Sequence, residues 1–344
     1  MTGFECETHL RFATLELVRG EWRTYNYALN LKGDAPAQGK MDISVVNIEE
    51  NAGQVPVNYV LPPGVTRIID PGQSQITQLN EQAMSLKVTD LQSGDARAVY
   101  KNSGMDMRTY KRLQMFVHAE KLIDDKTNLR DGDVSVFLRL GSDSKSNYYE
   151  YEVPLSLTEP GNYSTYNAQD QEAVWPQSNM FDFPLSLFTD LKLERNAKKR
   201  MDNSTVTFQT RYSSYDPDKN QNKVTIVGNP SLSDVRTMMI GVRNNSNAAK
   251  DIVVWVNEMR LTDFDQSGGW AAKANVNLGL SDIATLNIAG HVETVGFGGI
   301  DQSLTERRLD DYYQYNIATM VELGRFLPEK VKSVSYTHLT LPTT

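Results

Sequence analysis

The chain has 344 residues, a formal net charge of -8 and 23% charged residues, with a mean hydropathy of -0.46. That length has room for two hydrophobic cores, and the acidic balance argues against general affinity for nucleic acid or acidic lipid headgroups. Cys6 is the single cysteine, which excludes an internal disulfide and a cysteine-built zinc site, and no apolar run approaches the ~18 residues of a transmembrane helix.

The opening "MTGFECETHLRFATLELV" has no basic segment leading into an apolar stretch and a small-residue cleavage site, so it does not read as a secretory signal. Residues 10–19, "LRFATLELVR", predict a terminal strand, and 1–50 read as the end of a preceding β-sandwich or barrel segment. Pro62-Pro63-Gly64 and Asp70-Pro71-Gly72 are stiff turn signals that mark 51–75 as a linker. From 76 to 265 the chain alternates short apolar runs with polar turns: "MSLKVTDL", "RLQMFVHAE", "VSVFLRLGS", "YYEYEVPLSL", "TVTFQTRY", "TMMIGVRN" and "DIVVWVNEMRLTDF". Such spacing predicts an antiparallel sandwich or barrel. One segment departs from it. Leu185, Phe188 and Leu191 recur at helical spacing behind Pro184, with Lys198-Lys199-Arg200 at the end, so one helix is expected near 184–200. The Trp-bearing stretches "LELVRGEW" and "NEMRLTDFDQSGGW" resemble each other as a weak internal repeat.

Residues 266–331 have a different texture. From Ala272 to Leu280 every even position is apolar, while the odd ones are Lys273, Asn275, Asn277 and Gly279. Further strands are expected at 285–293 and 313–323, the last setting Tyr313, Tyr315, Ile317, Val321 and Leu323 against Gln314, Asn316 and Glu322. A strand of ~10 residues at ~3.3 Å each, tilted ~45°, rises roughly 24 Å, close to the ~25 Å apolar band of an outer-membrane barrel. Trp270, Tyr313 and Tyr315 share the apolar parity at one end, the pattern of an interfacial aromatic girdle. Three strands of a water-soluble sandwich fit the same pattern.

Catalytic chemistry finds little support. The four histidines stand singly: His118 reads as a core or edge residue, His9 has no acidic partner in register, His291 falls on a polar strand face, and His338 lies in the tail. Asp124-Asp125, Asp131/Asp133 and Asp216/Asp218 offer oxygen ligands without the twelve-residue calcium loop, so turns are expected there. "GFGG" at 296–299 lacks the spacing of a phosphate cradle. Asn162, Asn203 and Asn244 begin glycosylation-type triplets that polar turns also generate. Tyr149 and Tyr151 share one parity and Tyr148 the other, which suits a sugar-stacking platform and ordinary cross-strand packing equally; the first gives the alternative of a cell-surface carbohydrate-binding β-sandwich. A glycosidase accessory domain is disfavoured because no carboxylate pair stands in a catalytic frame. The expectation is a non-enzyme with no cofactor, no metal and no nucleic-acid partner.

Ordered blocks along residues 10–331 resemble the SprA (Sov) family. They include "VNYVLPPGVTRIIDPGQSQITQLNEQAMSLKV", "SVFLRLGSDSKSNYYEYEVPL", "VWPQSNMFDFPLSL", "VGNPSLSDVRTMMIGVRN" and "VWVNEMRLTDFDQSGGWAAKANVNL". The resemblance implies the outer-membrane translocon of type IX secretion and gliding motility in Bacteroidetes-type bacteria, a very large single-chain barrel with soluble insertions. Its partners would be secreted cargo proteins, other secretion-system subunits and outer-membrane lipid, and it brings no catalytic residues. The implied fold is all-β: a jelly-roll-like antiparallel sandwich, 76–265, inserted between strands of the barrel, of which 266–331 contribute a few. Lys273, Asn275, Asn277, His291, Asn316 and Glu322 would then face the lumen, and Trp270, Tyr313 and Tyr315 the lipid interface. The chain reads as a fragment cut at both ends, with 332–344, ending "VSYTHLTLPTT", resembling a translated sequencing adapter.

Overall fold

Val134–Gly141 shows why alternation alone does not orient every strand in this chain. The computed structural model describes residues 22–27, 29, 39–67, 69, 78–281, 283–303, 306–322, 324 and the backbone of 336–341. In it, all eight residues of this strand are buried. Val136, Leu138 and Leu140 point to one side of the sheet and Ser135, Phe137 and Arg139 to the other, so the strand is covered on both faces. Strands account for 46% of the structure and helices for 8%, which makes the chain all-β with antiparallel sheets.

Contacts divide the chain into two units, Met1–Met107 with Arg112–Leu261 and Arg108–Lys111 with Thr262–Thr344. The first is built from β1 (Arg23–Tyr25), β2 (Lys40–Asn47), β3 (Gln82–Leu91), β4 (Ala96–Met105), β5 (Tyr110–Glu120), β6 (Val134–Gly141), β7 (Tyr148–Pro154), β8 (Phe181–Pro184), β9 (Tyr212–Tyr215), β10 (Lys223–Val227), β11 (Val235–Asn244) and β12 (Lys250–Phe264). They form a seven-stranded sheet, β1-β4-β11-β6-β7-β10-β9, and a five-stranded sheet, β2-β3-β12-β5-β8. Leu86, Val88, Ile252 and Val254 in the smaller sheet, and Val99, Val136, Leu138 and Ile240 in the larger, are almost wholly removed from solvent.

Two expected boundaries change. The described strands before residue 50 do not end a preceding domain: β1 pairs with β4 and β2 with β3, so both complete sheets of this unit. The stretch 51–75 is not a free linker over its described part either. Val57, Tyr59 and Val60 are buried in a cluster with Val46, Phe116, Trp175 and Trp255. Asn58 is clamped to Tyr163 by hydrogen bonds of 2.8 and 2.7 Å, and the Trp175 indole donates to the Val60 carbonyl at 2.9 Å. Pro63-Gly64 lie in a turn, while the apolar "VNYVL" just ahead of them is a core segment. The strand expected at 10–19 lies outside the described residues.

Two local elements also differ. "TVTFQTRY" forms no strand before Tyr212, because Thr207 and Thr210 accept from each other's backbone N–H at 3.2 and 3.0 Å and close a loop, which short hydroxyl side chains do in competition with a ladder. Besides the helix expected near 184–200, found as α2 (Ser186–Lys199), a shorter α1 covers Ala168–Val174. Asn167 caps α1 by accepting from Gln169 N at 3.0 Å, with Asp170 in the first turn. Phe188, Leu191 and Arg195 are the buried stripe of α2.

Gly241 in β11 gives a direct test of packing. A Cβ there would stand 2.2 Å from Phe137 Cζ and 2.9 Å from Ala98 Cβ. Gly241→Ala is expected to destabilise the first unit by about 1–3 kcal/mol through overpacking, read as a lower denaturant midpoint at unchanged slope. A midpoint equal to that of the parent would refute the close approach.

The second unit carries a meander: β13 (Ala271–Leu280), β14 (Ala284–Glu293), β15 (Tyr312–Glu322) and β16 (Tyr336–Leu341), hydrogen-bonded in that order. β13 and β14 pair without a register break from Ala271↔Glu293 to Leu280↔Ala284, and β14 and β15 from Ala284↔Val321 to Glu293↔Tyr312. The backbone of β16, within the tail 332–344, continues the ladder from Ile317↔Leu341 to Glu322↔Tyr336.

Candidate functional site: a two-faced sheet

Register converts the sequence alternation of β13–β15 into two continuous surfaces, because paired residues in antiparallel strands point to the same side. Ala272, Val292 and Tyr313 form one row; Val276, Ile288 and Ile317 another; Leu278, Leu286 and Thr319 a third. The opposite face carries the rows Lys273–His291–Gln314, Asn275–Ala289–Asn316 and Asn277–Asn287–Ala318. The six polar residues singled out in the sequence, Lys273, Asn275, Asn277, His291, Asn316 and Glu322, therefore share one face.

The apolar face ends in aromatics. Trp270 extends the β13 ladder by accepting at its carbonyl from Thr294 N at 3.0 Å and donating its own N–H to Thr294 Oγ1 at 2.8 Å. Tyr313 and Tyr315 begin β15 at the same end, and the three side chains are 60%, 61% and 60% exposed in chain order. Val276, Leu278 and Leu280 are also exposed, and every residue of β13 is open to solvent. An apolar stripe of this length left bare marks an interaction surface. No helix among the described residues is long and apolar enough to cross a membrane, a criterion that does not bear on strands.

At the aromatic end the polar face gathers its charges. His291 Nε2 lies 3.2 Å from Glu293, whose second oxygen lies 3.1 Å from Arg308 Nε, while the Arg308 guanidinium sits 4.3 Å over the Tyr312 ring. The "GFGG" segment closes this connection. Gly296 N donates to Arg308 O at 2.8 Å and Arg308 N to Phe297 O at 2.9 Å, and Gly296 adopts φ +85° where a Cβ would meet Ser267 O. Its glycines thus serve chain packing.

In the first unit, chemistry-bearing residues are consumed by structure. Tyr149 and Tyr151 are buried, donating to Pro230 O at 3.1 Å and to Asp216 at 2.6 Å, which overturns the sugar-stacking platform. Burial pushes the Tyr149 phenol up to about 12, and burial with the Asp216 hydrogen bond raises Tyr151 further. Their alternation put them on one face; it did not show that Phe188 and Phe183 stack on them, at 4.9 and 3.9 Å. His118 is a core residue: Nδ1 donates to Val174 O at 2.8 Å, and the ring stacks 4.0 Å from Trp255. His9 is outside the described residues. Asp125 accepts from Thr127 N and Oγ1 and from Leu129 N; burial alone raises its pKa, but these bonds hold it below its ordinary value. Asp131 accepts from Leu157 N, and Asp133 pairs with Lys250 at 2.7 Å. Asn244 is wholly buried, with its amide on Leu91 O and Ala248 O. Among the described residues no group of three or more His, Cys, Asp or Glu side chains has metal-binding geometry.

Sequence reading missed a buried ion network on the second face of the larger sheet. Glu150, fully buried, meets Arg139 at 2.5 Å, Arg243 at 3.1 Å and Arg211; Arg243 also meets Glu152, which accepts from Ser135 Oγ at 2.5 Å. Burial by itself raises the pKa of Glu150, but Arg139, Arg243 and Arg211 outweigh it and hold the carboxyl well below the carboxylate range. The signal was present as Arg139, Glu150, Glu152 and Arg243 inside apolar strands, a placement that needs a partner.

No curated protein matches the chain. The model of the SprA family, described as motility related/secretion protein, matches residues 1–340. A match over nearly the whole length, on a chain whose strands follow the order of the resembling blocks, settles the affiliation: the protein belongs to the SprA family of motility and secretion proteins.

Proposed function

We propose that the chain is part of an outer-membrane, protein-conducting translocon for type IX secretion and gliding motility, and that it performs no bond chemistry. β13–β15 are wall strands, with Trp270, Tyr313 and Tyr315 at the lipid interface and Lys273, Asn275, Asn277, His291, Asn316 and Glu322 toward the aqueous lumen. The two-sheet unit is a jelly-roll-like sandwich inserted between wall segments. The observation that carries this reading is the bare apolar face of the meander ending in exposed aromatics, joined to the secretion-related family. A sheet of four strands cannot close on itself, so the pore requires further strands of the complete protein to satisfy its edges in lipid. Secreted cargo proteins, other secretion-system subunits and outer-membrane lipid are the partners this assigns.

Trp270 supplies the test. In the complete protein reconstituted in vesicles, the fluorescence lost on Trp270→Phe is expected to be the component quenched by lipids brominated near the headgroup end of the acyl chain. Equal quenching of the parent and the variant would oppose a lipid-facing Trp270.

A further inference from the structure

The middle of the polar face has a composition that strand stability does not explain. Three consecutive rows, Asn275–Ala289–Asn316, Asn277–Asn287–Ala318 and Gly279–Thr285–Met320, hold four asparagines and no charged residue. They span roughly 14 Å along the strands at ~3.4 Å per residue. Charges are confined to the two ends, with Lys273, His291 and Glu293 in the rows before this block and Glu322 beyond it. Asparagine is disfavoured in strands, so four of them on one side of one sheet require another cause. All four are exposed, and none of their side chains has a hydrogen-bond partner among the described residues. Each amide is left to water, presenting two donors and an acceptor with no net charge.

Pores that sort by charge carry rings of Asp, Glu, Lys or Arg, whose field is focused by low-dielectric walls. This surface lacks such a ring over its middle rows, while it remains strongly hydrated. Resting on the wall-strand reading above, we infer that this block is an electrically neutral carboxamide lining that lets acidic and basic polypeptides slide past alike, with any charge discrimination restricted to the Lys273–His291–Glu293 end and the Glu322 end.

Thiol modification separates the inference from the reading it rests on. In the complete protein in vesicles, with Cys6 and every other cysteine replaced by serine, the variants Asn275→Cys and Asn287→Cys are treated with trimethylammonium-ethyl and sulfonatoethyl methanethiosulfonate, each rate being taken relative to a free thiol. The expected cation-to-anion ratio lies within about fivefold of unity, since a charged lining shifts local ion concentration by 10-fold to 10³-fold. Adding Asn277→Asp to Asn275→Cys is expected to drive the ratio beyond that limit in favour of the cation. A ratio outside fivefold without the added aspartate overturns the neutral lining and leaves the pore reading standing. Failure of both reagents to reach either position, with a membrane-permeant maleimide reacting, overturns the pore reading and the inference together.

Discussion

With β13–β15 as the wall strands proposed above, Val276→Arg in the complete protein in lipid is expected to destabilise the barrel by about 2–4 kcal/mol, whereas Asn277→Arg, one residue along, should cost less than about 1. Val276 pairs with Ile288, and Ile288 with Ile317, in the central row of the apolar face. On the proposed reading a guanidinium there would meet hydrocarbon at the depth where it finds no water. Asn277 pairs with Asn287 on the other side, where an arginine stays hydrated. Ala272→Arg shares the apolar parity but lies two residues from Trp270, so its cost should fall to about 0–1 kcal/mol as the side chain reaches the interface. Denaturant unfolding in vesicles reads all three. A cost that follows parity without depth would refute wall strands at these positions, because a soluble layer packed on the apolar face would penalise Ala272 and Val276 alike.

Glu150→Gln is expected to cost the two-sheet unit about 3–5 kcal/mol, the range for leaving one side of a buried ion pair uncompensated. Arg139 and Arg243 are nearly or wholly buried and converge on this carboxylate, and Glu152 remains to neutralise Arg243 alone. The exposed pair Glu194–Lys198 on α2, at 2.9 Å, is the comparison: Lys198→Ala should change stability by less than about 0.5 kcal/mol. The same network sets an acid limit. Because the folded pKa of Glu150 lies below its ordinary 4.5, its contribution is complete above that value and is lost as pH falls from there through the depressed folded value. Urea midpoints of the full chain between pH 7 and pH 3 should therefore fall more steeply for the parent than for Glu150→Gln. Parallel curves would show that Glu150 is not the carboxylate responsible.

What could be read from the sequence depended on how many faces of a strand are covered. β13 and β15 alternate apolar and polar residues in the sequence, and the register places every expected polar residue on a single side. β6 is buried on both sides, so Arg139 and Phe137 interrupt the pattern for reasons that lie in β7 and β11. Tyr149 and Tyr151 were ambiguous for the same reason. Strand order was out of reach: β11 lies between β4 and β6, and β12 between β3 and β5, and the β4–β11 and β3–β12 pairings join residues more than a hundred positions apart. α2 was legible from Leu185, Phe188 and Leu191, whereas α1, at seven residues, announced itself through Asn167 and Asp170 alone. The Glu150 network was visible as misplaced charges without its geometry.

The segment from β2 through Leu61 also decides where this protein can be divided. Truncation at residue 76 would remove β2, one of the two neighbours of β3, and uncover Trp255, Phe116 and Trp175 at once. The excised piece would offer water both a raw sheet margin and an aromatic floor, the two ingredients of self-association. A soluble version of the unit must start no later than Arg23, so that β1 and β2 travel with the sheets they finish.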